Sequence, residues 1–222
     1  MPLATYSHIE SALISKTLGS LFYYRPCEYS LYGIDRVLSA PLDQTNNTPL
    51  MQQFISTLAT FKQTNINDLT TQHDQHFCGI ADIPAPPWGS VYLDRECVLF
   101  GESHTQYKQF LAKAGFEFET KNNDPLDHIG LMLMALGALL DNQENDNAID
   151  SAELQEMLSV HLLPWSQTYL SNVSLALTEP SYSSLVKTTQ ILLEQYTKLF
   201  LIPVENRKIY IQIDQDRNET QE

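Results

Sequence analysis

Basic residues are scarce in this chain. Thirteen lysines and arginines face 27 aspartates and glutamates, a formal net charge of −14 with a pI near 4.7. Such a surface repels nucleic acid and anionic membrane and attracts cationic partners. Cysteine is scarcer still. Cys27, Cys78 and Cys97 are odd in number and widely spaced, which argues against a disulfide framework or a CxxC zinc site and for a reducing compartment. Long apolar runs are lacking too. The longest, Ile129 to Leu140, falls short of the roughly 20 residues that span a bilayer, so stable membrane insertion is not expected. The opening MPLATYSHIESALISK has neither the basic nor the apolar region of a secretory signal. A cytoplasmic location is therefore the expectation, and the sequons at Asn46, Asn172 and Asn218 carry no meaning without a secretory route. No Walker loop, GxGxxG, nucleophile elbow or HExxH is present, so neither a catalytic residue nor a bound cofactor is expected.

What the chain has is apolar content, 43% of residues, arranged mostly at helical spacing. Ile9, Leu13, Leu18, Leu21 and Phe22 predict a first helix stopped before Pro26. Leu31, Ile34, Val37 and Leu38 predict a second, ending before Pro41. Met51, Phe54, Ile55, Leu58 and Phe61 form a clear third stripe, and a weaker helix covers Asn67 to Phe77. Residues 79–90, with Pro84, Pro86, Pro87, Gly79 and Gly89, read as a loop. Helical signal resumes near Tyr92 and over Thr105 to Ala114, and a polar connector fills 116–123. Asp124 can cap the next helix, with Pro125 first and Asp127 third in it, running to about Leu140. Asp150 and Glu153 make a capping-box pattern for a helix through Leu162, which Pro164 is expected to break. Two more helices are predicted over Trp165 to Leu177 and Tyr182 to Leu201. Alternation at 208–213 reads as a short strand or an extended arm, and 214–222 as disordered. The sum is an all-α fold: one globular domain of roughly eight to ten helices over 1–205, with a tail, partly disordered, over 206–222.

Several clusters invite a chemical reading. His73, Asp74 and His76 resemble metal ligands, His73 and His76 sharing a helical face, but a third ligand at fixed spacing is missing. Residues 142–153 imitate a calcium loop through Asn142, Glu144, Asp146 and Glu153, with Ile149 at the hydrophobic position. Asn147 stands where the sharp turn wants glycine. A metal-dependent enzyme built on His73, His76, Asp127 and His128, or a calcium-binding helical module, are the alternatives these clusters leave. Ser90 with His104 or His128 forms a hydrolase pair only by accident of composition, and Cys97, inside an apolar run, reads as a buried thiol.

Two cassettes stand out, PPWGSVYLDRECVLFG at 86–101 and NDPLDHIG at 123–130. A Pro-Pro-Trp-Gly loop is a poor place for a core tryptophan because loops run over surfaces, and aromatics there serve as binding anchors. Asp127 reads either as a helix-terminal acid or as a carboxylate able to hold an arginine through two charge-assisted bonds. Aromatic surface beside fixed carboxylates suits capture of a peptide that is both apolar and cationic.

The two cassettes resemble those of the TorD/DmsD family of redox-enzyme maturation chaperones. The DmsD branch fits best, through its PPWGSVWLDRESVLFG and EPEDHFG-type stretches. TLGSLFYYRP at 17–26, HLLPWSQTYL at 161–170 and the Phe200 to Val204 segment extend the likeness over about residues 10–205. The resemblance implies an all-α fold without catalysis. It implies binding of the twin-arginine leader of a molybdopterin oxidoreductase precursor, dimethyl sulfoxide reductase-like, until that enzyme is ready for export. It implies a monomer able to form domain-swapped dimers, with 116–123 as a hinge. Tyr23, Trp88, Gly101, Asp127 and His128 match positions the family uses for leader binding. Phe77 and Gly79 match a Leu-Phe-x-Gly stretch, although His76 and Ile80 depart from it. Tyr92 replaces a second tryptophan, and Asp124 replaces a glutamate while keeping its charge. The leader-binding set implied is Tyr23, Phe77, Trp88, Tyr92, Gly101, Asp124, Asp127 and His128.

Overall fold

A computed structural model describes residues 8–41, 48–79, 83–117, 120, 123–141, 151–199 and 202–211. In chain order these hold α1 (His8–Tyr23), a 3₁₀ turn (Pro26–Glu28), α2 (Ile34–Ser39), α3 (Pro49–Gln63), α4 (Ile66–His76), α5 (Gly89–Leu93), α6 (Glu102–Lys113), α7 (Ile129–Asp141), α8 (Ala152–Glu156), a π-helical turn (Met157–Leu162), α9 (Leu163–Ala176) and α10 (Pro180–Leu199). The described residues contain no strand, only an isolated antiparallel bridge between Trp88 and His128. The all-α expectation holds. The calcium-like stretch at 142–150 and the tail beyond 211 lie outside the described residues.

Several helices begin where a side chain takes an orphan amide. Thr48 accepts from Met51 N (3.1 Å), with Pro49 at the first position of α3. Asn65 opens α4. Ser151, one residue after the expected Asp150, opens α8 by accepting from Leu154 N (3.2 Å). Glu179 takes both Ser181 N (2.7 Å) and Tyr182 N (3.0 Å) at the head of α10.

The centre of the fold is α7. Ile129, Leu131, Met132, Leu133, Ala135, Leu136, Leu139 and Leu140 are all buried, so the helix is apolar all round and belongs inside. It lies against α1 with backbone nearly touching backbone. A Cβ on Gly130 would come within 2.6 Å of Gly19 O, and one on Gly19 within 2.5 Å of Gly130 O. On the far side α3 and α10 meet through buried hydroxyls. Thr57 Oγ1 lies 2.7 Å from both Ser184 Oγ and Thr188 Oγ1, which satisfies polar groups the core would otherwise strand.

Pro164 does not break its helix. Without an N–H it cannot donate to the preceding turn. The chain widens one residue earlier, where Leu163 N–H reaches back five residues to Leu158 O, and the axis continues from α8 into α9 as a π turn. Trp165, fully buried, donates from Nε1 to His161 O (3.0 Å). Of the two readings for the C-terminal alternation, the extended arm is the observed one. Residues 202–211 lie back on the domain, Glu205 N donating to Ser159 O and Tyr210 N to Tyr92 O, each at 2.9 Å.

The close α1–α7 approach sets a test. Gly130→Ala forces the two helices apart. It is expected to cost about 1–3 kcal/mol, the usual range for overpacking, and thus to lower Tm by several degrees. An unchanged thermal midpoint would show that the helices are not seated as described.

Candidate functional site

The two cassettes are bonded to each other across the fold. Trp88 immediately precedes α5. Gly89 N–H donates to Asp127 O (3.0 Å), Ser90 N–H to Asp127 Oδ2 (2.6 Å), and Ile129 N–H returns to Pro87 O (2.8 Å). Asp127 therefore caps α5, a helix from a different part of the chain, with its carbonyl and its carboxylate together. It was expected in the first turn of its own helix, which instead begins two residues later at Ile129. Asp124 does not cap α7 either. His128 does so, its Nδ1 accepting from Gly130 N–H (3.0 Å) while its carbonyl accepts from Met132 N–H (2.9 Å).

These hydrogen bonds settle the state of the imidazole. Nδ1 is an acceptor, so the ring proton sits on Nε2, which donates to Phe77 O (3.2 Å). His128 is neutral, and burial holds its pKa down to about 3. His73 has the same arrangement. Its Nε2 faces Phe22 O (3.0 Å) and its Nδ1 the Cys78 thiol (3.1 Å), with burial lowering the pKa to about 4. Asp127 is 3% exposed. Burial pushes its carboxyl above the usual range, against the pull of Ser90 and of nearby His104.

The expected leader-binding set divides in two. Phe77, Tyr92, Asp127 and His128 are buried. Phe77 sits edge-on to Phe22 (5.4 Å). Tyr92, 0% exposed, packs against Trp165 and Tyr169 and faces the core. Tyr23, Trp88, Gly101 and Asp124 keep some exposed surface. Trp88 is half-buried, not a free loop anchor. Its ring meets His128 edge-on (5.6 Å) and closes over Gly79, where a Cβ would lie 2.9 Å from it. Gly101 has a structural reason of its own. The Asp94 carboxylate caps α6 by accepting from Ser103 N (3.1 Å) and Ser103 Oγ (2.9 Å). It passes so close that a Cβ on Gly101 would meet Oδ2 at 2.0 Å. Beyond this cap the chain turns through left-handed φ at Cys97 and Phe100 and leaves Val98, Leu99 and Phe100 exposed. Cys97 is half-buried there, not a core thiol.

A polar face lies beside Trp88. Tyr23 OH donates to Asp124 Oδ2 (2.8 Å), and the Tyr23 ring stands edge-on to His128 (5.4 Å). Next to it Arg25 holds Asp74 through two bonds, Nε to Oδ1 (2.8 Å) and Nη2 to Oδ2, which keeps the Asp74 carboxyl below its usual range. Arg25, Asp74 and Cys78 were not anticipated as partners. The signal available was one arginine in a base-poor chain, inside the FYYRP stretch. Among the described residues, His73, Asp74 and Cys78 form the group whose ligand atoms are close enough to share an ion, all within 4.8 Å. Arg25 already neutralises Asp74 there, and burial, with Asp74 second, pushes the thiol up to about 12. His76, Asp127 and His128 do not join that group, so the four-residue metal centre drawn from sequence is not assembled.

Residues 40–170 match the family described as nitrate reductase delta subunit. The chain is 31% identical over 200 residues to the Tat proofreading chaperone DmsD of Salmonella typhimurium, covering 90% of this chain and 95% of that protein. It is 30% identical over 201 residues to the probable Tat proofreading chaperone DmsD of Haemophilus influenzae, covering 90% and 96%. It is 25% identical over 181 residues to the chaperone protein YcdY of Escherichia coli, covering 82% and 90%. These matches put the chain in a class of chaperones, and it belongs to the TorD/DmsD family.

Two outcomes follow from the buried groups. Asp127→Ala removes a cap from α5 and is expected to cost about 1–2 kcal/mol of stability, read as a lower urea midpoint; an unaltered midpoint would mean the carboxylate is dispensable to the fold. The second concerns pH. The folded-state pKa values of His128, His73 and His161 lie at about 3, 4 and 4, below the unfolded value near 6.5. Their contribution is present above pH 6.5 and is lost as pH falls toward 4, by about 1.4 kcal/mol per pH unit for each imidazole. A histidine NMR titration should find these three rings neutral at pH 5, and a His128 midpoint near 6.5 would contradict the assigned bonds.

Proposed function

We propose that this chain is a cytoplasmic, system-specific chaperone that binds the twin-arginine leader of a molybdopterin oxidoreductase precursor, dimethyl sulfoxide reductase-like, and holds it until maturation precedes export. The observation that carries the reading is the partly open face of Tyr23, Asp124 and Asp74 beside the Trp88 ring, in a chain of net charge −14. The names of the relatives, Tat proofreading chaperones, support it. A leader of this type offers two guanidinium groups and then an apolar stretch. Carboxylates take guanidinium in pairs of parallel bonds, and a half-buried indole suits the apolar part. The buried members of the set, Phe77, Tyr92, Asp127 and His128, act by positioning: they fix the loop that carries Trp88 and the turn that carries Asp124. The protein works as a monomer in this reading, with the 116–123 connector as the hinge of any swapped dimer. No helix among the described residues is long and apolar enough to cross a membrane, in keeping with a partner met before export.

Calorimetric titration with a synthetic twin-arginine leader tests it. The native leader should bind, and replacing both arginines by glutamine should weaken binding. Asp124→Asn should lower affinity by about 1.5–3 kcal/mol, the range for hydrogen bonds to charged groups, with Tm nearly unchanged. Equal binding of the two leaders would refute arginine recognition, and no binding of the native leader would refute leader capture altogether.

A further inference from the structure

The Arg25–Asp74 pair is oddly placed for a structural ion pair. Asp74 lies in the last turns of α4 (Ile66–His76), at the negative end of the helix dipole, where a carboxylate is disfavoured. Helix stability gives no reason for an acid there. Both side chains remain open, 42% exposed for Arg25 and 28% for Asp74, so the pair is screened and contributes little to stability. The contact is nonetheless specific in form: two parallel bonds from Nε and Nη2 to the two carboxylate oxygens. The backbone of Arg25 is extended (φ −64°, ψ 138°) and is followed by Pro26, which favours that conformation. One side chain away, Tyr23 donates to Asp124, and the Cys78 thiol, 3.6 Å from Asp74 Oδ1, also feels the charge of Asp124. Two carboxylates therefore border one small patch. One is held by a tyrosine hydroxyl and the other by an arginine of the chain itself.

Resting on leader capture, we infer that Arg25 is an internal stand-in for a leader arginine: on binding, one leader guanidinium displaces Arg25 from Asp74 while its neighbour meets Asp124. The exchange acts as a selector. A ligand gains at Asp74 only by what it makes beyond the bonds Arg25 already makes. An incoming guanidinium reproduces the two-bond fork, and apolar contacts at Trp88 then decide for the leader. A lysine ammonium is a point charge that cannot reproduce the fork, so it exchanges at a loss. Competition by Arg25 thus turns a general attraction for cations into discrimination for arginine, specificity obtained by penalising the wrong partner. Pro26 and the half-exposed position leave the displaced side chain free to turn into water.

The test uses the full chain, calorimetry, and three synthetic leaders carrying Arg-Arg, Lys-Lys or Gln-Gln at the paired positions. The wild-type protein should prefer the arginine leader over the lysine leader. Arg25→Gln should bind both more tightly and narrow that preference several-fold, because Asp74 is then unoccupied for either cation. Asp74→Asn should narrow the preference several-fold, because the fork that separates guanidinium from ammonium is gone. It should change arginine-leader affinity less than Arg25→Gln does, since the guanidinium exchange at Asp74 is near even. If the wild type binds the arginine leader while both variants keep its affinity and its preference unchanged, the stand-in role is wrong and leader capture survives. If neither wild type nor Arg25→Gln binds any leader, both are wrong. Thermal unfolding reports the fold of each variant. Should Asp74→Asn fold poorly, Arg25→Gln decides alone, since removal of a half-exposed arginine leaves the core untouched.

Discussion

The close approach of α1 and α7 is the constraint from which the site's geometry follows. Gly19 and Gly130 bring two backbones almost into contact, and a Cβ on Gly130 would also strike Tyr23 Cβ at 2.9 Å. The start of α7 is thereby pinned to the end of α1. His128 and Asp127 immediately precede this contact, and Tyr23 and Arg25 emerge from its other side. Tyr23 consequently stands edge-on to His128 and reaches Asp124 without any dedicated loop. Wider helix spacing would separate the Asp124 carboxylate from the Tyr23 hydroxyl that donates to it. Helix packing distance depends on the residues at the crossing, and here it is set by the absence of side chains.

Behind the open face, the supports are polar groups taken out of water and bonded to backbone amides and carbonyls. An imidazole that is buried and kept neutral gives up hydration, and it repays this only when both ring nitrogens are bonded. His128 meets that condition with Gly130 N and Phe77 O, and so ties the start of α7 to the residue that ends α4. Asp127 and Asp94 each cap a helix from outside it, α5 and α6 respectively. Short helices gain most from such borrowed caps, because α5 has only five residues and cannot sustain itself by internal bonds. The loops carrying Trp88 and Phe100 are thus held by carboxylates that local sequence would assign to solvent.

What was legible in the sequence was periodic or local. The stripes at Met51 to Phe61 and Ile129 to Leu140 became α3 and α7 with little revision, because an apolar face specifies a helix wherever it packs. The unread features are those in which distant residues decide the outcome. Asp127 follows a cap-like residue and a proline, so its local pattern pointed to its own helix; its true partner is Ser90, 37 residues away. Pro164 reads as a breaker from its missing donor, yet tertiary packing of Trp165 favours a π turn that accommodates it. The hydroxyl seam of Thr57, Ser184 and Thr188 has no hydrophobic signature at all. Of the resemblance-derived set, Tyr23, Phe77, Trp88, Asp124 and His128 are linked through contacts with one another, whereas Gly101 lies against Asp94 and Tyr92 against Trp165. Periodicity could not tell that Tyr92 faces inward while Tyr23 retains an open face.

This division between a fixed back and an open front bears on how substitutions in such a site should be understood. Asp127 and His128, which the resemblance assigns to leader binding, are each 3% exposed, and the bonds they make run to backbone groups on α5, α7 and Phe77. A change at either would reach a ligand by moving Trp88, Asp124 or the Phe77–Gly79 turn, and stability and affinity would fall together. A change at Asp124, Asp74 or Arg25 meets fewer internal obligations, since these side chains bond chiefly to one another's neighbours at the surface. Coupling between loss of stability and loss of affinity is therefore the property that separates positioning residues from contacting ones here. It arises because the same hydrogen bonds that cap α5 and α7 also hold the proposed recognition surface in place.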